Sequence, residues 1–94
     1  MKIPISFHPS YTAYLEWFSG RFWFHIDVYQ WNGKVKKAVV DDLNKIRSLV
    51  KMPINAMVEA ENLKLQKFGK VTGWIVESKH VLKDGTDALI YRWG

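Results

Sequence analysis

The chain has 94 residues and no cysteine, so disulfides, thiolate zinc sites and a cysteine nucleophile are excluded and packing alone must hold the fold. Long apolar runs are also missing. Nothing approaches the roughly 20 consecutive apolar residues of a membrane span, and the opening MKIPISFHP lacks the apolar core of a secretory signal. The expectation is a soluble, cytoplasmic protein. Metal-ligand spacing of the H-E-x-x-H kind is not found, which leaves no metal site to assign. There is no internal repeat, low-complexity tract or linker, and the length allows one domain over residues 1–94.

What is present is apolar and basic. Hydrophobic residues make up 48% of the chain and tryptophan occurs five times, which argues for a packed core and against a disordered tail. Nine acidic residues against fourteen basic ones give a formal charge of +5, which favours an acidic partner: nucleic acid, a phosphorylated cofactor or an acidic protein. The lysines (Lys34, Lys36, Lys37, Lys45, Lys51, Lys64, Lys67, Lys70) are scattered, and read as solvated helix faces rather than a nucleic-acid footprint.

Taken in order, Ile3, Ile5 and Phe7 alternate with polar positions and Pro4, which predicts a strand with the three apolar side chains on one face, Pro4 marking either a sheet edge or a strand start. A turn at His8-Pro9-Ser10 leads to a second alternating run, Tyr11 to Phe18. Ser19-Gly20 then suits a tight hairpin into a third strand, Arg21 to Gln30. From Asn32 to Lys51 the period becomes helical, with Val35, Ala38, Val39, Leu43, Ile46, Leu49 and Val50 on one stripe and Asn32 as N-cap, and Pro53 ends the helix. The last forty residues hold a short strand (Ile54, Ala56, Val58), a second helix opened by Asn62 and closed at Gly73, and a hairpin around Asp84-Gly85. The predicted order is β-β-β-α-β-α-β-β, an α/β (α+β) fold with a mixed six-stranded sheet. Both crossovers run in the same sense, so the right-handed rule puts both helices on one face.

The closing segment resembles the GCN5-related N-acetyltransferases (GNAT), in particular their small phage-type members: Asn62 after a strand, Phe68, Gly73-Trp74 and the Asp84-Gly85 hairpin all match. The resemblance implies a GNAT-like core lacking the family's first strand and helices. It also implies acetyl-CoA as cofactor, bound by the loop Gln30-Trp31-Asn32-Gly33-Lys34-Val35, where backbone N–H groups at a helix start face the pyrophosphate, with Asn62 as a further contact. Val35 departs from the small residue usual at its position. The family's frequent tyrosine acid aligns with Gly69, which has no proton to donate, so no catalytic residue is assigned.

His25 and Asp27 lie two apart on one strand face, with Glu16 opposite, a pattern in which a His can act as base while Asp holds its tautomer; a half-exposed sheet histidine is the plainer alternative. The sheet face away from the helices is expected to present Thr12, Tyr14, Glu16, Trp23, His25, Asp27 and Tyr29. Tyr14, Trp23, His25 and Tyr29 are the expected contacts for a protein partner or a second copy. Glu16 and Asp27 argue against strong nucleic-acid binding there. The expected function is a non-catalytic GNAT-like interaction protein, phage-encoded, that binds a host or virion protein; the alternative is a minimal acetyl-CoA-dependent N-acyltransferase.

Overall fold

Turn chemistry sets the first three strands. In the computed structural model, which describes residues 2–94, β1 (Lys2–His8), β2 (Tyr11–Phe18) and β3 (Arg21–Val28) form an antiparallel meander. Ser19 and Gly20 both have positive φ (52° and 76°), the two-residue turn whose twist matches its flanking strands. α1 (Gly33–Val50) follows, then β4 (Ile54–Glu59), α2 (Leu63–Thr72), β5 (Ile75–Val81) and β6 (Asp87–Trp93). The predicted order holds, and the single sheet runs β1-β2-β3-β4-β6-β5 with only β3 and β4 parallel. Among the described residues no helix is long and apolar enough to cross a membrane, and no three or more His, Cys, Asp or Glu side chains cluster as metal ligands.

Both helices begin on asparagine. Asn32 Oδ1 accepts from the Val35 N–H at 3.0 Å and Asn62 Oδ1 from the Leu65 N–H at 3.1 Å, and Lys51 and Gly73 close the helices in the left-handed conformation. Tyr91 and Trp93, two apart on β6, share a sheet face; the Tyr91 ring lies against Gly69 of α2, and Trp93 Nε1 donates to Asn44 of α1 at 3.3 Å. Both helices therefore cover the same face, as handedness requires. The core lies beneath them, built from Tyr11, Phe24, Val39, Leu43, Ile54 and Trp74 with their neighbours.

Four expectations need correction. Leu49, expected on the buried stripe of α1, is 80% exposed in the last turn, beyond Leu43, the last fully buried residue of the helix. The alternation of β1 is broken: Pro4 pairs with Tyr14 and Ser6 with Ala13, so Ile5 is the extra residue of a bulge. Ile3 and Phe7 consequently sit on opposite faces, opposite Leu15 and Thr12 respectively. β3 stops at Val28, not Gln30, because the Tyr29 and Gln30 N–H groups both turn to the Ser10 carbonyl, at 2.7 and 3.2 Å. On the helix-free face, Thr12 is buried, not presented, with its hydroxyl 2.9 Å from the Tyr29 hydroxyl.

The half of that face nearer β5 is partly covered by its own side chains, although Met57 and Ile75 stay exposed. Arg21 at the start of β3 reaches across β4 and β6 to Glu77 of β5 (3.0 Å), and Asn55, Ala88 and Ile90 on this side are buried without any helix. The half nearer β1 is open, with Phe7 78% and Phe18 64% exposed.

Candidate functional site

β3 and β4 are paired at two positions only, Phe22 with Ile54 and Trp23 with Asn55, and then part. Elsewhere in the sheet neighbouring strands share at least six paired positions. The parting leaves a cavity of about 200 Å³ lined by the consecutive residues Phe24 to Asp27 on one side and Ala56 to Val58 on the other. Because neighbouring side chains on a strand point to opposite faces, an opening lined by such runs passes through the sheet. Phe24, Ile26, Ala56 and Val58 belong to the helix side, and His25, Asp27 and Met57 to the open side. α2 contributes Leu65, Phe68 and Gly69 as a wall, and Trp74 and Tyr91 also line the cavity.

Through Ile26, Leu65 and Phe68 this slot joins an outer cavity of about 680 Å³, bounded by the β3–α1 loop and α2. Of the expected cofactor residues, Gln30 and Asn62 meet in its lining, together with Trp31, Lys64 and Lys67. Asn32, Gly33 and Lys34 stand outside that lining, exposed at the start of α1. The N–H groups of Gly33 and Lys34 are first-turn donors without intrahelical acceptors, and a Cβ on Gly33 would meet open space, so an anion has room to approach. Val35 is placed differently from the expectation that its branched side chain crowds this loop: it is 2% exposed in the core, and its N–H is taken by Asn32.

On the open side, His25 Nε2 and Glu16 Oε1 are 3.0 Å apart, so the partner of the histidine is the carboxylate on β2, not Asp27. Cross-strand register explains this: Glu16 opposes Trp23, one step along the same face, whereas Asp27 turns toward Tyr14. Loss of solvation and then the Asp27 charge raise the Tyr14 pKa above its ordinary value. Trp23 and His25 are half-buried, and Trp23 Nε1 donates to the Phe18 carbonyl at 3.0 Å. Tyr29 follows the strand and lines the outer cavity, but its hydroxyl stays on this face, beside Thr12 and close enough to Tyr14 to add to the rise in its pKa.

Tyr91 is a site residue that the sequence reading missed. A Cβ on Gly69 would lie 3.2 Å from the Tyr91 ring, so the missing side chain is what admits this tyrosine to the slot. Burial raises its pKa. Trp31 was also missed as a structural element; its ring packs on Phe68 at 5.2 Å and ties the β3–α1 loop to α2. The sequence signal for it was present, since a tryptophan in an otherwise polar turn calls for a partner.

Solved structures share this architecture. Over 89% of its length, at 14% identity and a TM-score of 0.71, the chain is similar to a GNAT-family acetyltransferase from Bacillus anthracis, spanning 57% of that protein. A GNAT-family acetyltransferase from Bacillus cereus gives a TM-score of 0.65 at 16% identity, over 89% of this chain and 61% of that one. YncA from Salmonella typhimurium, named as an acetyltransferase with its cofactor acetyl-CoA, gives 0.68 at 17% identity over 89% and 57%. The fold is therefore GNAT-like, and the chain spans less than two thirds of each of these proteins. No protein-family model matches the sequence, and no curated protein matches it.

Proposed function

We propose, on the premise of a GNAT-like fold, that residues 1–94 act as one unit that binds an acyl-CoA, such as acetyl-CoA, between β3 and β4. The observation that carries this reading is the parting of the sheet after Trp23 and Asn55, which opens a slot with a largely apolar helix side; the slot joins the outer cavity, and the two free donors at the start of α1, the Gly33 and Lys34 N–H groups, stand exposed outside both linings. A slot of this kind suits a thin, neutral chain such as a pantetheine arm, and the Gly33–Lys34 turn suits its pyrophosphate. Asn32 acts through the backbone it caps, and Val35 by anchoring α1 to the core. The YncA neighbour, named with acetyl-CoA, supports the same ligand class.

Calorimetric titration with acetyl-CoA tests this. Micromolar binding is expected, and Gly33→Glu, which sets a carboxylate where the pyrophosphate would lie, is expected to abolish it. A wild-type protein that takes up no heat at millimolar acetyl-CoA overturns the reading.

A second reading, an interaction protein, is favoured by the open half-face with its exposed Phe7 and Phe18 beside Tyr14, Trp23 and His25. Contact with a protein partner or a second copy would cover these rings. It is compatible with CoA binding without acyl transfer, and sedimentation of Phe18→Ala tests it: an unchanged mass, with no loss of a co-purifying protein, counts against it.

A further inference from the structure

One amine belongs to the slot. Lys2 is the only lysine among the residues that line it, whereas Lys64 and Lys67 line the outer cavity alone. In the strand register Lys2 opposes Glu16 and Glu16 opposes Trp23, so all three point to the open side of the sheet. With neighbouring strands about 4.8 Å apart, the backbone of Lys2 lies about 10 Å from β3, and what reaches the slot is its long side chain with the amino group at the tip. That side chain shares the open face with the His25–Glu16 pair, whose Nε2 and Oε1 atoms are 3.0 Å apart, and His25 and Asp27 line the slot with it.

A chain that enters from the outer cavity past Ile26, Leu65 and Phe68 presents its far end toward Lys2, His25 and Asp27. We propose that Lys2 is a modification site that the protein acylates on itself, taking the acyl group from a thioester held in the slot. The proposal rests on the acyl-CoA reading and goes beyond it by naming an acceptor within this chain. In the step, the Lys2 ammonium gives one proton to the His25–Glu16 pair, and the neutral nitrogen attacks the thioester carbonyl carbon. The N–C bond forms, the C–S bond breaks, and the departing thiolate takes a second proton from the nitrogen. The products are an N-acyl-lysine and free CoA, and the pair returns its proton to solvent. Proximity drives the reaction, since an amine tethered at the mouth of the slot has an effective concentration far above that of a free amine.

The test is incubation of the whole chain with acetyl-CoA and mass spectrometry of its peptides, beside calorimetric titration with the same ligand. Lys36 and Lys37, exposed on α1 and outside both linings, report the background reactivity of a surface lysine. Lys2 is expected to be acetylated at least about tenfold faster than either, at a rate per molecule that diluting the protein does not change. Gly33→Glu, its fold checked by a thermal scan, is expected to remove that preference. N-acetylsuccinimide, an acyl donor that needs no slot, is expected to show none. Acetyl-CoA binding with Lys2 acetylated no faster than Lys36 and Lys37 overturns the proposal and leaves the acyl-CoA reading standing. A preference that survives Gly33→Glu, or that N-acetylsuccinimide reproduces, marks a merely reactive amine and also overturns it. So does a rate that falls on dilution, which marks transfer between molecules. A wild type that neither binds acetyl-CoA nor favours Lys2 overturns both readings.

Discussion

Gly69 and Gly33 are both helical glycines, and they should respond oppositely to a side chain. At Gly33 a Cβ meets nothing within 4 Å, whereas at Gly69 it meets the Tyr91 ring at 3.2 Å. Gly33→Ala is expected to be neutral or to stabilise by up to about 1 kcal/mol through helix propensity. Gly69→Val is expected to cost about 1–3 kcal/mol through overpacking, and much less in a Tyr91→Ala background. Urea unfolding of these variants decides it; an equal effect of Gly69→Val in both backgrounds would remove Tyr91 as the cause. Tyr11 offers a pH test. It is 1% exposed, its hydroxyl donates to Asp42, which also accepts from Ser6 at 2.7 Å, and burial first and Asp42 second push its pKa up to about 12. A folded pKa above the unfolded value near 10 means stability that is intact below about pH 10 and is lost as pH rises through about 12. Tyr11→Phe is expected to lower neutral stability by about 1–2 kcal/mol and to flatten the alkaline loss. An unchanged slope above about pH 10 would assign that loss to other groups. The sequence made the caps legible at this scale, because Asn32 and Asn62 act on neighbours three residues on. The Gly69–Tyr91 and Tyr11–Asp42 contacts were not legible, since each joins elements that only the folded sheet brings together.

Element order was legible throughout, because period two and period 3.6 separate cleanly in this chain and both helices carry chemical ends. Register was less so. Nothing in KIPISFH announces that Ile5 is extra, and the bulge that moves Phe7 to the face opposite Ile3 arises from fitting β1 to the register of β2. β3 ended early for a similar reason, since the Ser10 carbonyl captures two N–H groups that alternation would have assigned to a ladder. Trp23 and Phe24, neighbours on β3, give the matched comparison for this scale. Phe24 packs on Trp74 in the core, ring centroids 5.8 Å apart, and Phe24→Ala is expected to cost about 3–5 kcal/mol. Trp23→Ala removes a half-buried ring on the other face and is expected to cost less, while weakening any partner contact made there. Circular dichroism melts ranking Trp23→Ala as the less stable of the two would reverse the assignment of faces.

For the molecule as a whole, composition indicated a basic, cysteine-free globular unit, and the closing motif indicated the fold; neither indicated where the sheet would part. That parting follows from β3 and β4 each turning toward its own following helix after two shared positions. Its mechanical meaning is that the sheet is two three-stranded leaves, β1-β2-β3 and β4-β6-β5, joined by a short seam. Side-chain packing also joins the leaves, where Phe24 of one meets Trp74 at the start of the last hairpin. With two paired positions, the seam has few backbone hydrogen bonds to resist local opening. In the free protein, the amides of Phe24 to Val28 and Ala56 to Glu59 that point into the gap are expected to exchange faster than those that point outward into the β2–β3 and β4–β6 ladders. A chain threaded between the leaves would wedge and brace them at once, so occupancy of the slot should slow exchange on both leaves together, and the ligand would register as stiffness in strands it never touches.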